Sequence, residues 1–269
     1  MLDICAQIND KKNPDHQTMH CIWKSGLQCV KLFKAIHHTN KMVNITFDTM
    51  GVHIMSMDMS KTSLVKLELE ACEFEQYQCA EPLTLGIYSE VLVNILQKVK
   101  KNKLVWKASD NMALTLVLVD NAQKTEFTIR TIDIDDDQLS IPDLQDDVAI
   151  RVPKQVVHDW IDKMMMTKSD VCFRITQTEF SCESVSTEMG TITCTEPIGT
   201  DRIVSVAFRT PVNMKLSSYA TKSMQVFSST GGDTCFIGLS NEQPSRIKVS
   251  LGDDSSICLY VAPKIVEDD

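Results

Sequence analysis

VNITFDT (43–49) and LVKLELE (64–70) alternate apolar and polar residues. That spacing puts one face of a strand in a core and the other in water. The alternation recurs in ALTLVLV (113–119) and TEFTIRTI (125–132). It returns later in AIRV (149–152), VCFRIT (171–176), IVSVAFR (203–209), RIKVSL (246–251) and SICLYVA (256–262). Turn-forming clusters such as Ser109-Asp110-Asn111, Gly231-Gly232 and Gly252-Asp253 fall between the runs. The pattern predicts many short antiparallel strands.

Four segments carry helical signals instead. Ser25 with Gln28 has the spacing of a capping box and predicts a helix to about Asn40. SEVLVNILQKVKK (89–101), KQVVHDWIDKMMM (154–166, after Pro153) and the Ser/Thr-rich NMKLSSYATK (213–222) are the others. Each half then reads strand, helix, several strands, helix, several strands, a duplicated architecture without visible repetition of residues. Between the halves lies IDIDDDQLSIPDLQDD (132–147), whose charges and central Pro142 predict an extended, solvated linker. The expected organisation is α+β: a polar and disordered extension over 1–17, a first domain over 18–131, the connecting segment 132–147 and a second domain over 148–269.

The chain has 269 residues, 43% of them hydrophobic, enough for a substantial core. No run approaches the roughly 18 apolar residues of a membrane span, and the N-terminus lacks the pattern of a secretory signal. The expectation is a soluble intracellular protein with no membrane partner. The ten cysteines show no C-x-x-C pair and no zinc spacing, so they read as small buried hydrophobes. A net charge of −9 argues against tight nucleic-acid binding by the whole surface but not by a local basic strip.

Asp133, Asp135 and Asp137 match the first ligand positions of an EF-hand loop, but Gln138 stands where Gly is needed and Leu144 where Glu is needed. No metal or cofactor is expected. There is no nucleophile elbow, phosphate-binding loop or H-E-x-x-H motif. Adjacent His37 and His38 diverge by about 100° on a helix and do not share an ion. The chain reads as a protein without catalytic residues.

The positive signal is lysine. Lys31, Lys34, His38 and Lys41 share one face of the first helix, opposite Leu32, Phe33 and Ile36. Asn94, Lys98 and Lys101 share a face of the second, with Lys100 beside them. Lys163, Lys168, Lys215 and Lys222 follow less regularly. Such strips suit phosphates contacted without regard to sequence.

GVHIMSMDMSKTSLVKLELEACEFEQYQC (51–79) closely resembles the eukaryotic proliferating cell nuclear antigen family, whose pattern is G-V-x-x-x-S-M-D-x-S-x-x-S-L-V followed by Tyr-x-Cys. Gly51, Val52, Ser56, Met57, Asp58, Ser60, Ser63, Leu64, Val65, Tyr77 and Cys79 match it. Asp133, Asp135, Gln138, Leu139, Ile141 and Pro142 fit the family's connecting loop. Tyr260, Ala262, Pro263, Lys264 and Ile265 fit its tail. These blocks stand in the family's order, and the likeness spans roughly 18–269.

The resemblance implies the DNA clamp fold: two similar domains, each with antiparallel sheets outside and two helices inside, and three subunits closing head to tail as a ring. It implies a non-enzymatic DNA polymerase processivity factor that encircles duplex DNA and tethers a polymerase, a clamp loader and other proteins bearing the family's interaction motif. The expected location is the nucleus, or a viral replication compartment. The alternative it leaves is a checkpoint-type clamp subunit of a heterotrimer; a metal-dependent hydrolase built on the Asp cluster is a reading of another class.

Expected DNA contacts are Lys31, Lys34, His38, Lys41, Lys98, Lys101, Arg209 and Lys215. The implied pocket for a partner's peptide comprises Met57, Leu64, Leu139, Ile141, Pro244, Tyr260, Pro263 and Ile265, with Ala207 and Ala262 beside a glutamine-accepting corner. TEFTIRTI and MGTITCTE (189–196) are the expected ring edges, with Phe127, Ile129, Ile192 and Cys194 at the subunit contact. Four departures from the family stand out: Asp159 and Asp162 where arginine is usual, Lys61 for histidine and Thr62 for an aliphatic residue.

Overall fold

Alternating apolar residues bury one face of nearly every strand, and the sheets they build decide where each helix sits. A computed structural model of the chain describes residues 18–264, apart from 101–102, 121–122, 136–138 and 142–143. The predicted extension 1–17 and Lys101, Asp137, Gln138, Pro142 and Ile265 therefore lie outside the described residues.

The first half runs β1 (Met19–Trp23), α1 (Gly26–Thr39), β2 (Met42–Phe47), β3 (Gly51–Met57), β4 (Ser63–Glu70), β5 (Phe74–Cys79), β6 (Leu83–Tyr88), α2 (Ser89–Leu96), β7 (Lys103–Ala108), β8 (Ala113–Asp120) and β9 (Gln123–Arg130). The second runs β10 (Val148–Pro153), α3 (Lys154–Met164), β11 (Val171–Ile175), β12 (Glu179–Ser186), β13 (Gly190–Pro197), β14 (Ser205–Phe208), β15 (Val212–Leu216), α4 (Ser218–Ser228), β16 (Thr234–Leu239), β17 (Ser245–Ser250) and β18 (Ser256–Val261).

Three sheets result: β5-β1-β7-β8-β9, β13-β12-β11-β15, and a nine-stranded sheet β14-β10-β16-β17-β18-β4-β3-β2-β6. The long sheet crosses from one half to the other where β18 pairs antiparallel with β4, from Ser256↔Glu68 to Val261↔Ser63. Backbone pairing therefore joins the halves.

Each half packs aromatic rings beneath its helices. Trp106 of β7 lies 5.3 Å from Trp23 and from Phe33 of α1, and 6.3 Å from Phe47. In the second half Trp160 of α3 stacks on Phe180 at 4.2 Å. Burying each such ring stabilises by roughly 1.5–3 kcal/mol. Cys21, Cys29, Cys79, Cys182, Cys235 and Cys258 are buried free thiols, whereas Cys72 is exposed.

The predicted capping of α1 is present: the Ser25 hydroxyl accepts from Gln28 N–H at 3.2 Å. Two helical expectations need correction. The segment 213–222 is not one helix, because Val212, Met214 and Leu216 are buried alternately in β15 and paired with β11. The helix starts only after Ser217, whose hydroxyl caps Ala220 N–H at 3.1 Å. Likewise α2 stops at Leu96 and not at 101; Lys98 and Val99 donate to the carbonyls three residues back, tightening the chain before it enters β7. A helix to 101 would leave no room for that reversal.

Candidate functional site

Helices α1, α3 and α4 meet along a shallow depression of about 450 Å³ lined by Lys31, Lys34, His158, Asp162, Lys222 and Gln225. Lys31 and Lys34 are exposed while Leu32, Phe33 and Ile36 are buried, because a 3.6-residue period separates the two sets. Lys222, on the exposed side of α4, joins them. Asp162 accepts from Gln225 Nε2 at 2.6 Å. Asp159 is paired with Lys163 at 3.0 Å and with Arg202 at 2.6 Å, and Arg202 also reaches Glu196 at 2.7 Å. Hydrogen bonds from Lys163, then from Arg202, hold the Asp159 carboxyl below its ordinary pKa. Of the two acidic departures in α3, Asp159 is offset by neighbouring cations, whereas Asp162 meets the amide of Gln225.

The remaining predicted DNA contacts are dispersed. His38 is half-buried between α1 and α4: its ring stacks on Tyr219 at 5.2 Å, and Tyr219 Oη donates to the His38 carbonyl at 2.7 Å. Burial, then Lys41 and Lys222, lower its pKa. It is a joint between helices, not an open phosphate contact. Lys41 is exposed beyond the end of α1 and donates to the His37 carbonyl at 3.2 Å, and Lys98 is exposed in the turn after α2. Lys215 sits on β15 beside Asp170 at 3.6 Å, so it belongs to a strand and not a helix face. Arg209 follows β14, outside the helices, and donates to Gln145 at the end of the connecting segment at 3.0 Å. These last two placements correct the expectation.

A second feature is a cleft of about 140 Å³ under the connecting segment. Met57, Leu64, Ile141, Pro244, Tyr260 and Ala262 line it, as do Lys61, Thr62, Ser140 and Leu144. Register explains the convergence: Met57↔Leu64 and Leu64↔Tyr260 are direct cross-strand pairs, so their side chains share one face. Leu139 lines an adjoining cleft of about 160 Å³ that shares Met57. The tail is held close by, with Ala262 N–H donating to Thr62 O and Lys264 N–H to Lys215 O, both at 2.8 Å; Pro263 lies between them. Ala207 is misplaced in the sequence reading. It sits on β14, four strands from β18 in the same sheet, about 19 Å away at the usual strand spacing. Leu144 and Ser140 escaped the reading because only the folded path of the segment brings them to the cleft.

The third feature is a pair of open edges. β9 ends the five-stranded sheet and β13 ends the four-stranded one. Ile198 N–H donates to Thr178 O at 2.9 Å, and the β12–β13 register continues through Glu196↔Phe180, Cys194↔Cys182 and Ile192↔Ser184. Alternate pairs in an antiparallel ladder exchange both bonds. The even residues therefore bond to β12, and Thr191, Thr193 and Thr195 turn their N–H groups outward. By the same logic Thr131 N–H, which donates to Met112 O at 3.1 Å, sets Phe127 and Ile129 inward on β9. Glu126, Thr128 and Arg130 face out. Independently of that in-plane bonding, the side chains of Phe127, Ile129, Ile192 and Cys194 stand on the core face of their sheets, and the backbone of the alternate residues forms the open edge.

The fold superposes on the crystal structure of proliferating cell nuclear antigen from Entamoeba histolytica with a TM-score of 0.83, at 21% identity, covering 93% of this chain and 100% of that one. Residues 23–139 match the family model described as proliferating cell nuclear antigen, N-terminal domain. The chain has the sliding-clamp fold, and residues 23–139 are similar to that family's N-terminal domain. A proliferating cell nuclear antigen from Chaetomium thermophilum is 24% identical over 250 residues, 89% of this chain and 95% of its own length. A probable DNA polymerase sliding clamp 2 from Paramecium bursaria Chlorella virus 1 is 25% identical over 242 residues, 88% of each. The matched N-terminal clamp domain contains α1, Met57, Leu64, Leu139 and the β9 edge. The α3–α4 surface and the β13 edge lie beyond it, where the two long relatives carry the likeness.

Proposed function

We propose that this chain is a DNA polymerase processivity factor: a non-enzymatic clamp subunit that forms a homotrimeric ring around duplex DNA. The observation that carries the reading is the pair of open strands, β9 and β13, at the ends of two different sheets. Open edges invite further strands, and a head-to-tail ring of copies removes both at once. Lys31, Lys34 and Lys222 would then contact phosphates from the helix surface, weakly and without sequence preference, so that the ring slides.

In this reading residues 18–131 and 148–269 are the two domains, with 132–147 connecting them, and the location is nuclear or a viral replication compartment. The cleft of Met57, Leu64, Ile141, Pro244 and Tyr260 takes apolar anchors from a polymerase, clamp loader or other partner. Its backbone would add a strand to the connecting segment or tail. Lys61 on the rim favours acidic residues beside those anchors.

The test is retention on circular DNA. Loaded protein should stay on a nicked circle at moderate salt and leave when the circle is cut once. Equal loss from both forms, or sequence-specific binding at physiological salt, contradicts the reading. Peptide titration separates the cleft from the ring: Ile141→Ala should weaken binding of an aliphatic–aromatic motif peptide while retention persists.

A further inference from the structure

The register that leaves β13 open on one side places two thiols opposite one another on the other. Cys182 of β12 and Cys194 of β13 are direct partners, and both are free. They belong to the pairs that exchange both backbone hydrogen bonds, as the Ile198–Thr178 bond fixes. Such pairs hold their Cα atoms about 5.5 Å apart, inside the roughly 4.4–6.8 Å that a disulfide spans. Both side chains point to the same face, where Cys182 lies with Trp160, Ile161 and Met164 of α3, and a small closing of the two strands brings the sulfurs to bonding distance.

The two thiols are not equivalent. Cys182 is 1% exposed, whereas Cys194 is only partly buried. Lys163 of α3 lies within electrostatic reach of Cys194, although it also pairs with Asp159. The Cys182 thiol is pushed up to about 12, by burial first and then by Cys194. Exposed Cys72 offers a contrast: its thiol donates to the Glu73 carboxylate at 4.0 Å, and it has no cysteine among its cross-strand partners in the described strands.

We propose that Cys182 and Cys194 form a peroxide-sensitive dithiol, with Cys194 the attacked sulfur and Cys182 the resolving one. The Cys194 thiolate attacks hydrogen peroxide: an S–O bond forms, the O–O bond breaks, and the departing hydroxide is protonated to water. Cys182 then gives up its proton as its sulfur attacks Cys194. An S–S bond forms, the S–O bond breaks, and the second oxygen leaves as water. Two electrons pass from sulfur to peroxide, and two thiols with one peroxide become one disulfide and two waters. An accessible thiol poised next to a resolving partner is the arrangement of reversible oxidation. The bond would fasten the edge strand β13 to β12; the dithiol chemistry itself does not depend on ring closure.

The experiment treats the full-length protein with substoichiometric hydrogen peroxide, blocks remaining thiols and maps the peptides by mass spectrometry. The expected product links Cys182 to Cys194 with loss of two hydrogens, and dithiothreitol reverses it. In Cys182→Ser, Cys194 should halt as a sulfenic acid trapped by a 1,3-dione probe; in Cys194→Ser, Cys182 should stay reduced. Oxidation of Cys72 ahead of Cys194 in the wild-type protein, or a disulfide joining Cys194 to any other cysteine, overturns the proposal. The wild-type map decides even if a serine variant folds poorly.

Discussion

The two halves repeat one architecture with different surface charge. In the first half, helix α1 turns exposed Lys31 and Lys34 outward, and the edge β9 carries Lys124, Glu126 and Arg130. In the second, α3 turns out Asp159, Asp162 and Lys163, and the edge β13 carries Thr191, Thr193 and Thr195. The buried positions obey the same periodicities in both. Apolar spacing thus fixes the shared fold, while exposed positions are free to specialise.

The sharpest break of this comparison comes from proline placed at adjacent residues of one edge. Ile192→Pro removes an inward donor and leaves the Ser184 carbonyl unpaired, costing the folded subunit about 1–3 kcal/mol. Thr193→Pro removes only an outward donor. Its melting temperature as an isolated subunit should stay close to wild type while assembly is lost. Urea titration together with light scattering reads both effects; equal destabilisation by the two variants would place the open side of β13 wrongly.

Charge reversal sharpens the helical half of the comparison. Replacing Lys31 and Lys34 with Glu should lower the slope of log K against log salt for DNA by about 1.8, from about 0.9 per phosphate lost. Removing Asp159 instead, as Asn, should change the slope little, because Lys163 and Arg202 already offset its charge. Fluorescence anisotropy over a salt series measures both. A larger effect of Asp159→Asn would mean that its two cations do not shield it.

A smaller effect concerns pH at the α1–α4 joint. The His38 pKa is lowered in the fold, so the unfolded chain binds more protons between the folded value and about 6.5. The joint is at full strength above about 6.5 and weakens as pH falls through that window. The charged groups facing it are Lys41, Lys222 and His37. His20 and His37 are also lowered, so all three contribute to the acid loss. In urea titrations from pH 7.5 to 5, His38→Gln should lose less stability than wild type; identical curves would remove His38 from the joint.

Much of this was legible in the sequence, for physical reasons that differ by region. LVKLELE and TEFTIRTI read correctly because one face of each is buried and the other wet. MHCIW, which forms β1, gave no alternating signal because four of its five residues are buried. VNMKL does alternate, but the Ser/Thr-rich helix after it masked the change of period at Ser217. The cleft was legible where register is short-range, as at Met57, Leu64 and Tyr260, and misread at Ala207, where a position several strands away had to be inferred without a register. Arg209 failed likewise: composition marks a cation, but only topology says which side of the sheet it serves.

The most direct test of the ring is the solution mass of the full-length chain, by light scattering, alongside Thr128→Pro and Thr193→Pro. The account predicts about three times the subunit mass of 30.3 kDa for wild type and the mass of open assemblies or single subunits for each variant. A folded wild-type chain that remains at one subunit mass at micromolar concentration, or variants that still close to a trimer, would contradict it.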